Sequence, residues 1–190
     1  MIWDAHAIYA CTSLGNSSAR IFSISHKNRN VTNRKYGGYS MSLEENKATI
    51  RRYTEACNKR NVALLKELIS PNYFHFTLQL RSWKEYIEFE TSLWKAFPDL
   101  HETNEDIIAE GDKVCYRFKL MGTNTGELRG FPAPSGMKIT LAPTGKKFTV
   151  TGVSIKRIVD GKIVESWAVY DLLDFYRQLG VIEYKGFPEE

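Results

Sequence analysis

Two periods of apolar and polar residues divide this chain. From Met41 onward apolar positions first recur every three or four residues. Ile50, Tyr53 and Cys57 predict a helix from Glu44 to about Asn58. Ser42-x-x-Glu45, just before it, has the form of a capping box, in which each side chain satisfies a free backbone N–H of the helix start. NVALLKELI predicts a second, short helix stopped by Pro71, and NYFHFTLQL an extended piece. Trp83 to Phe97 predicts a third helix, with Ile87, Glu90, Trp94 and Phe97 on one stripe and Pro98 ending it.

Beyond Pro98 the period becomes two. In HETNEDIIAEGDKVCYRFKL the pair Gly111-Asp112 reads as a turn. After it Val114, Tyr116, Phe118 and Leu120 alternate with Cys115, Arg117 and Lys119. KKFTVTGVSIKRIVDGKIVESWAVYD turns at Asp160-Gly161, a strong two-residue hairpin signal. The Gly- and Pro-rich stretch GTNTGELRGFPAPSGMKITLAPTGKK reads as a long loop. A closing helix runs from about Leu172 and stops at Gly180. Helices, then antiparallel hairpins, then a helix define an α+β class.

Composition changes this picture in one place. The chain has 190 residues and a net charge of +4, and residues 1–40 carry all of that charge. They hold Arg20, Lys27, Arg29, Arg34 and Lys35 against Asp4, and are rich in Ser and Asn without a sustained period. They are expected to be a disordered or peripheral extension, and residues 41–190 a single domain. That domain has no excess charge to attract phosphates, which argues against nucleic acid as partner. No apolar run approaches the ~20 residues of a membrane span. Cys11, Cys57 and Cys115 form no disulfide or zinc pattern, consistent with a reducing, cytoplasmic setting.

Several landmarks stand in a distinctive order: Phe97-Pro98-Asp99-Leu100, Ala109-Glu110-Gly111-Asp112, Gly122-Thr123 to Gly126, Pro143-Thr144-Gly145, Asp160-Gly161-Lys162, Glu165-x-Trp167 and Gln178-Leu179-Gly180. In this order, over about residues 44–182, the chain resembles the SnoaL-like polyketide cyclases, or ester cyclases, of the nuclear-transport-factor-2-like superfamily. The resemblance implies a cone: a curved antiparallel sheet packed against N-terminal helices, enclosing an apolar pocket, often dimeric through the sheet. It also implies an intramolecular aldol condensation on a polyketide methyl ester, without metal or organic cofactor. An aspartate on the last strand serves as acid and base, and the motif Glu-x-Trp-x-x-x-Asp places it at Asp171. This sequence departs from the family with Asn124 in the glycine turn and Ser166 before the tryptophan. By the simplest spacing, Ile155 and Arg157 stand at the positions of a supporting histidine and glutamine.

The chemistry needs such a group. Removing a proton α to a carbonyl requires a base, and the enolate or alkoxide oxygen requires hydrogen bonds or a proton. Burial raises a carboxyl pKa toward the working pH. Asp171 also has the position of an N-cap for the closing helix, an architectural alternative. His75, Trp167, Ser154 and Arg157 are the further pocket candidates. His75 and Trp167 each have a packing alternative. A simple two-residue turn at Asp160-Gly161 sets Ser154 opposite Trp167 on the face of Asp171 and points Arg157 away; a bulge reverses this. Nothing near His101 resembles a metal-ligand set, so no metal is expected. Two other readings use the same fold: a non-catalytic module that binds a small apolar ligand or dimerises, and a cofactor-independent hydrolase or dehydratase.

Overall fold

The computed structural model describes residues 42–132 and 138–183; the extension expected over residues 1–40 lies outside them. Helix α1 (Leu43–Asn58) begins at the expected capping box: Ser42 Oγ accepts from Glu45 N–H, and Glu45 Oε2 accepts from Ser42 N–H at 2.7 Å. Helix α2 (Val62–Leu68) follows, then strand β1 (Ile69–His75) and helix α3 (Trp83–Ala96). Pro71 does not end α2, which stops three residues earlier, but lies inside β1. It is tolerated because β1 is an edge strand whose pairing is irregular between Ile69 and Phe74.

Strands β2 (His101–Glu110) and β3 (Lys113–Thr123) form the first expected hairpin. The Gly- and Pro-rich stretch is not all loop. It carries β4 (Leu128–Pro132) and β5 (Lys138–Leu141), an antiparallel pair that buries Leu128, Phe131 and Leu141. Its local sequence signals turns; the core beneath it makes the strands. Strands β6 (Lys147–Val159) and β7 (Lys162–Tyr170) meet at Asp160-Gly161, both with positive φ as a type I′ turn requires. Helix α4 (Leu172–Gln178) closes the fold, and Gly180, with φ +72°, follows it.

The main sheet has the order β1-β7-β6-β3-β2, antiparallel except for β1 with β7. The helices pack on the inner face of this curved sheet, which is not closed. Along β3 and β6 the inner positions are even-numbered: Val114, Tyr116 and Phe118 on one, Phe148, Val150, Ser154, Lys156 and Ile158 on the other.

The sequence landmarks are largely staples of this scaffold. Asp99 accepts from both N–H and Oγ1 of Thr123 at 2.6 Å, tying the end of α3 to the end of β3. Fully buried Asn124 accepts from Thr144 N–H at 2.9 Å and donates to the Gly126 carbonyl at 2.8 Å, joining the glycine turn to Pro143-Thr144-Gly145. Gln178 grips the backbone of Thr149 in both directions, at 2.8 and 2.9 Å, and so docks α4 on β6.

Gly152 sits where β6 crosses beneath a ring. A Cβ there would lie 2.5 Å from Phe118 Cζ and 2.6 Å from the Val169 carbonyl. Gly152→Ala should therefore destabilise the fold by about 1–3 kcal/mol through overpacking, read as a lowered urea midpoint with an unchanged slope.

Candidate functional site

Between the sheet and α1, α3 and α4 lies a cavity of about 110 Å³. One end is aromatic. Phe97, Phe131, Phe148 and Phe175 contact one another edge-on or tilted, with centroids 4.8 Å apart for Phe148–Phe175 and 5.0 Å for Phe97–Phe148. The other end is ionisable, lined by His75, Glu90, Glu102 and Lys156 with Tyr53, Tyr116 and Ser154. Outside it runs a groove of about 1240 Å³ between the β1–α3 segment and the β4 region; Leu78, Phe89 and Tyr170 line both spaces.

The register of the last hairpin decides which residues face this cavity. A bulge separates the pairs Arg157↔Glu165 and Ile158↔Ile163, leaving Val164 as the extra residue. Beyond it Ser154 pairs with Ala168, Ile155 with Trp167 and Lys156 with Ser166. Two of the sequence candidates, His75 and Ser154, thus come together at the cavity. Trp167 and Arg157 lie on the opposite, outer face. Trp167 stacks on Phe76, with centroids 4.5 Å apart and planes 10° from parallel. Arg157 binds Glu165 through two hydrogen bonds of 2.7 and 2.9 Å. Of the two registers left open for this hairpin the structure takes the bulged one, and the extra residue reverses the facing of the whole of β7 beyond it.

Asp171 lies at the end of β7 as the N-cap of α4, where Oδ1 accepts from Asp174 N–H at 2.8 Å. Its side chain is exposed, and it is not among the residues lining the cavity. Its neighbours Tyr170 and Leu172 line the groove.

The cavity's ionisable end contains groups that the sequence did not single out. Lys156 is only 3% exposed. Its Nζ donates to Ser166 Oγ at 3.0 Å and sits 4.4 Å from the centre of the Tyr53 ring. Burial lowers its pKa, an effect the charges of Glu102 and other neighbours oppose. Glu102 accepts from Thr54 Oγ1 at 3.0 Å, while its backbone exchanges two 2.8 Å hydrogen bonds with the Asn58 side chain. Burial raises the Glu102 carboxyl, against the charge of Lys156. Glu90, from α3, is pushed up to about 7 by burial and then by the neighbouring charge of Glu102.

His75 is lowered to about 3, first by burial and then by the charge of Lys156. Its Nδ1 accepts from Leu78 N–H at 3.3 Å, which leaves the hydrogen of the neutral ring on Nε2. Parity could have found Lys156, which interrupts the inward apolar alternation of β6. Glu90 likewise interrupts the stripe of α3. Among the described residues no three His, Cys, Asp or Glu side chains converge as metal ligands.

Comparison with known proteins agrees with this architecture. The family model of SnoaL-like polyketide cyclases matches residues 47–179, and the chain belongs to that family. It is 32% identical over 137 residues to the aklanonic acid methyl ester cyclase DauD of Streptomyces sp. (strain C5), covering 69% of this chain and 79% of that one. It is 31% identical over 143 residues to the aklanonic acid methyl ester cyclase AcmA of Streptomyces galilaeus, covering 73% and 92%. Among solved structures, AclR from Streptomyces galilaeus superposes with a TM-score of 0.61 at 28% identity, over 75% of this chain and all of AclR. TsrD from Streptomyces laurentii, at 24% identity, shares the fold with a TM-score of 0.63 over 75% of this chain and 99% of its own.

Glu90 and His75 act on stability in opposite senses. The folded chain keeps a proton on Glu90 between pH 4.5 and about 7 that the unfolded chain has lost. Its contribution is complete below pH 4.5 and disappears as pH rises through 7. His75 contributes fully above pH 6.5 and loses that contribution as pH falls toward 3. Glu90→Gln, which cannot ionise, should gain stability relative to the unsubstituted chain between pH 4.5 and 8, by on the order of 3 kcal/mol. Urea unfolding at the two pH values measures the difference.

Proposed function

We propose that this chain is a cyclase-type enzyme acting on a hydrophobic carbonyl compound. A proton is removed α to one carbonyl, the resulting enolate carbon adds to a second carbonyl of the same molecule, and the new alkoxide is protonated. The observation that carries this reading is the cavity itself: aromatic at one end and ionisable at the other, in a chain of this family. The aromatic end suits a planar ring. The ionisable end offers donors to an oxygen that gains charge in the transition state, where preorganised groups contribute most.

Volume limits how the substrate sits. An apolar cavity of about 150 Å³ takes up benzene, so about 110 Å³ holds no more than a single ring. The rest of a polycyclic ester would lie in the adjoining groove, past Leu78, Phe89 and Tyr170. Aklanonic acid methyl ester, on which the named relatives act, is the first compound to try.

By its place in the motif Asp171 is the acid/base candidate, set between two groove-lining residues. Two substitutions separate that role from capping. Asp171→Asn should lower kcat for the ester at least about a hundredfold with little loss of stability. Asp171→Ala should in addition cost about 1 kcal/mol of stability, the worth of a cap. Unchanged turnover in Asp171→Asn would assign Asp171 to the helix alone. Binding of the ester without conversion by the unsubstituted chain would favour a ligand-binding module.

The outer face of the sheet supports a homodimer as part of this proposal. Val153, Ile155 and Val169 stand exposed together there, Val169 at 77%. Light scattering should give twice the chain mass, and Val169→Glu, with no inner contact to lose, should give the mass of one chain.

A further inference from the structure

The ammonium of Lys156 lies inside an apolar fold, and burying such a charge costs several kcal/mol unless it is well paired. Its pairing is incomplete. Ser166 Oγ takes one of its three N–H donors, the Tyr53 ring covers one side, and no carboxylate oxygen of a described residue lies within 4.0 Å of Nζ. Two carboxyls nevertheless share the cavity lining with it, Glu90 from α3 and Glu102 from β2. One positive charge balances one carboxylate. The two carboxyls repel when both are ionised, so the second gives up its proton only around pH 7. Glu102 is the better placed to stay ionised. It accepts from Thr54 Oγ1, and the charge of Lys156 is the strongest influence favouring its anion, whereas for Glu90 that charge ranks behind the Tyr86 hydroxyl. Other ionisable groups around Lys156 include the Tyr53 and Tyr116 hydroxyls, the Cys57 thiol and His75. Burial holds the first three protonated and His75 neutral near pH 7.

We propose that this end of the cavity is an oxygen site for an enolic or phenolic ring, in which Lys156 donates a hydrogen bond to the ring oxygen and Glu90 takes up and returns that oxygen's proton. The ligand class is a planar ring bearing an acidic hydroxyl: the hydroxyl end faces Lys156, and the ring faces the phenylalanines. The proton exchange balances. A ligand O–H and the Glu90 carboxylate become a ligand oxyanion and the Glu90 carboxylic acid. In a cyclisation the same acid protonates the alkoxide as the carbon–carbon bond forms, leaving the carboxylate for the next turnover. This rests on the cyclase reading for its place in a reaction, but the oxygen site is testable without turnover.

The probe is 4-nitrophenol, a single ring whose anion absorbs at longer wavelength than its neutral form. It is added to the full chain near pH 7, where part of the free compound is neutral and part of Glu90 is ionised. The expected result is a saturable rise in anion absorbance, with less than one proton released to a weakly buffered solution per anion formed. Lys156→Met should weaken anion binding tenfold or more. Glu90→Gln should release a full proton per anion formed, because nothing in the cavity takes it up. Should Lys156→Met fail to fold, by circular dichroism, the unsubstituted chain suffices: the Lys156 side-chain amine resonance must move on saturation with 4-nitrophenol. Absence of saturable anion binding, equal binding by folded Lys156→Met, or an unmoved Lys156 resonance overturns the proposal. A chain that converts the methyl ester yet gives any of these results keeps the cyclase reading and loses only the oxygen site. A chain that binds the anion through Lys156 but converts nothing keeps the oxygen site and loses the cyclase reading.

Discussion

One unpaired residue in the last hairpin governs which chemistry the cavity receives. With Val164 bulged out, β7 is shifted by one position against β6 beyond Arg157. Because a strand's side chains alternate strictly, that shift turns Ser166, Ala168 and Tyr170 inward and sends Glu165, Trp167 and Val169 outward. Ser166 is thereby opposite Lys156 and supplies its hydrogen-bond acceptor at 3.0 Å. Without the extra residue, Trp167 would press into the space that the phenylalanines and the lysine now share. The outer face would lose the stacked Phe76–Trp167 pair and the Arg157–Glu165 bridge.

A buried ammonium constrains everything around it. Desolvation pulls Lys156 toward its neutral form, while the same low polarity makes each nearby carboxylate act on it more strongly than water would allow. The cluster is therefore a set of coupled protonation states. Glu102 is tethered to α1 through Thr54 and Asn58, and Glu90 rides on α3, so one helix and two strands bring their charges to one cavity. His75 remains neutral beside them. Such an arrangement is costly for stability. Its value lies in holding, near neutral pH, both a charged donor and a carboxyl that can gain or lose a proton in one dry space.

The residues most legible as motifs hold the scaffold. The Asp99–Thr123, Asn124–Thr144 and Gln178–Thr149 bonds each fasten one loop or helix end to the sheet. The polar side chains concerned belong to landmarks readable in the sequence, because a turn or cap needs a particular residue at a particular spacing. The Asn124 amide ties two turns together, accepting from Thr144 and donating to Gly126. Asp171, placed by the same kind of motif, caps a helix.

The sequence alone determined the α+β order, the capping box of α1, both hairpin turns of the main sheet and the Gly180 stop, because each is a local preference of a few neighbouring residues. His75 and Ser154, singled out there, both line the cavity. The sequence did not determine the β4–β5 hairpin, whose glycines and prolines signal turns while its buried Leu128, Phe131 and Leu141 gain their value only against the aromatic core. Nor did it determine that Trp167 faces outward, since a bulge has no composition of its own. Above all, Glu90, Glu102 and Lys156 stand 12 and 54 residues apart along the chain and form no motif. Only the packing of α1 and α3 against the sheet places three charges around one cavity, and their protonation depends on that shared burial.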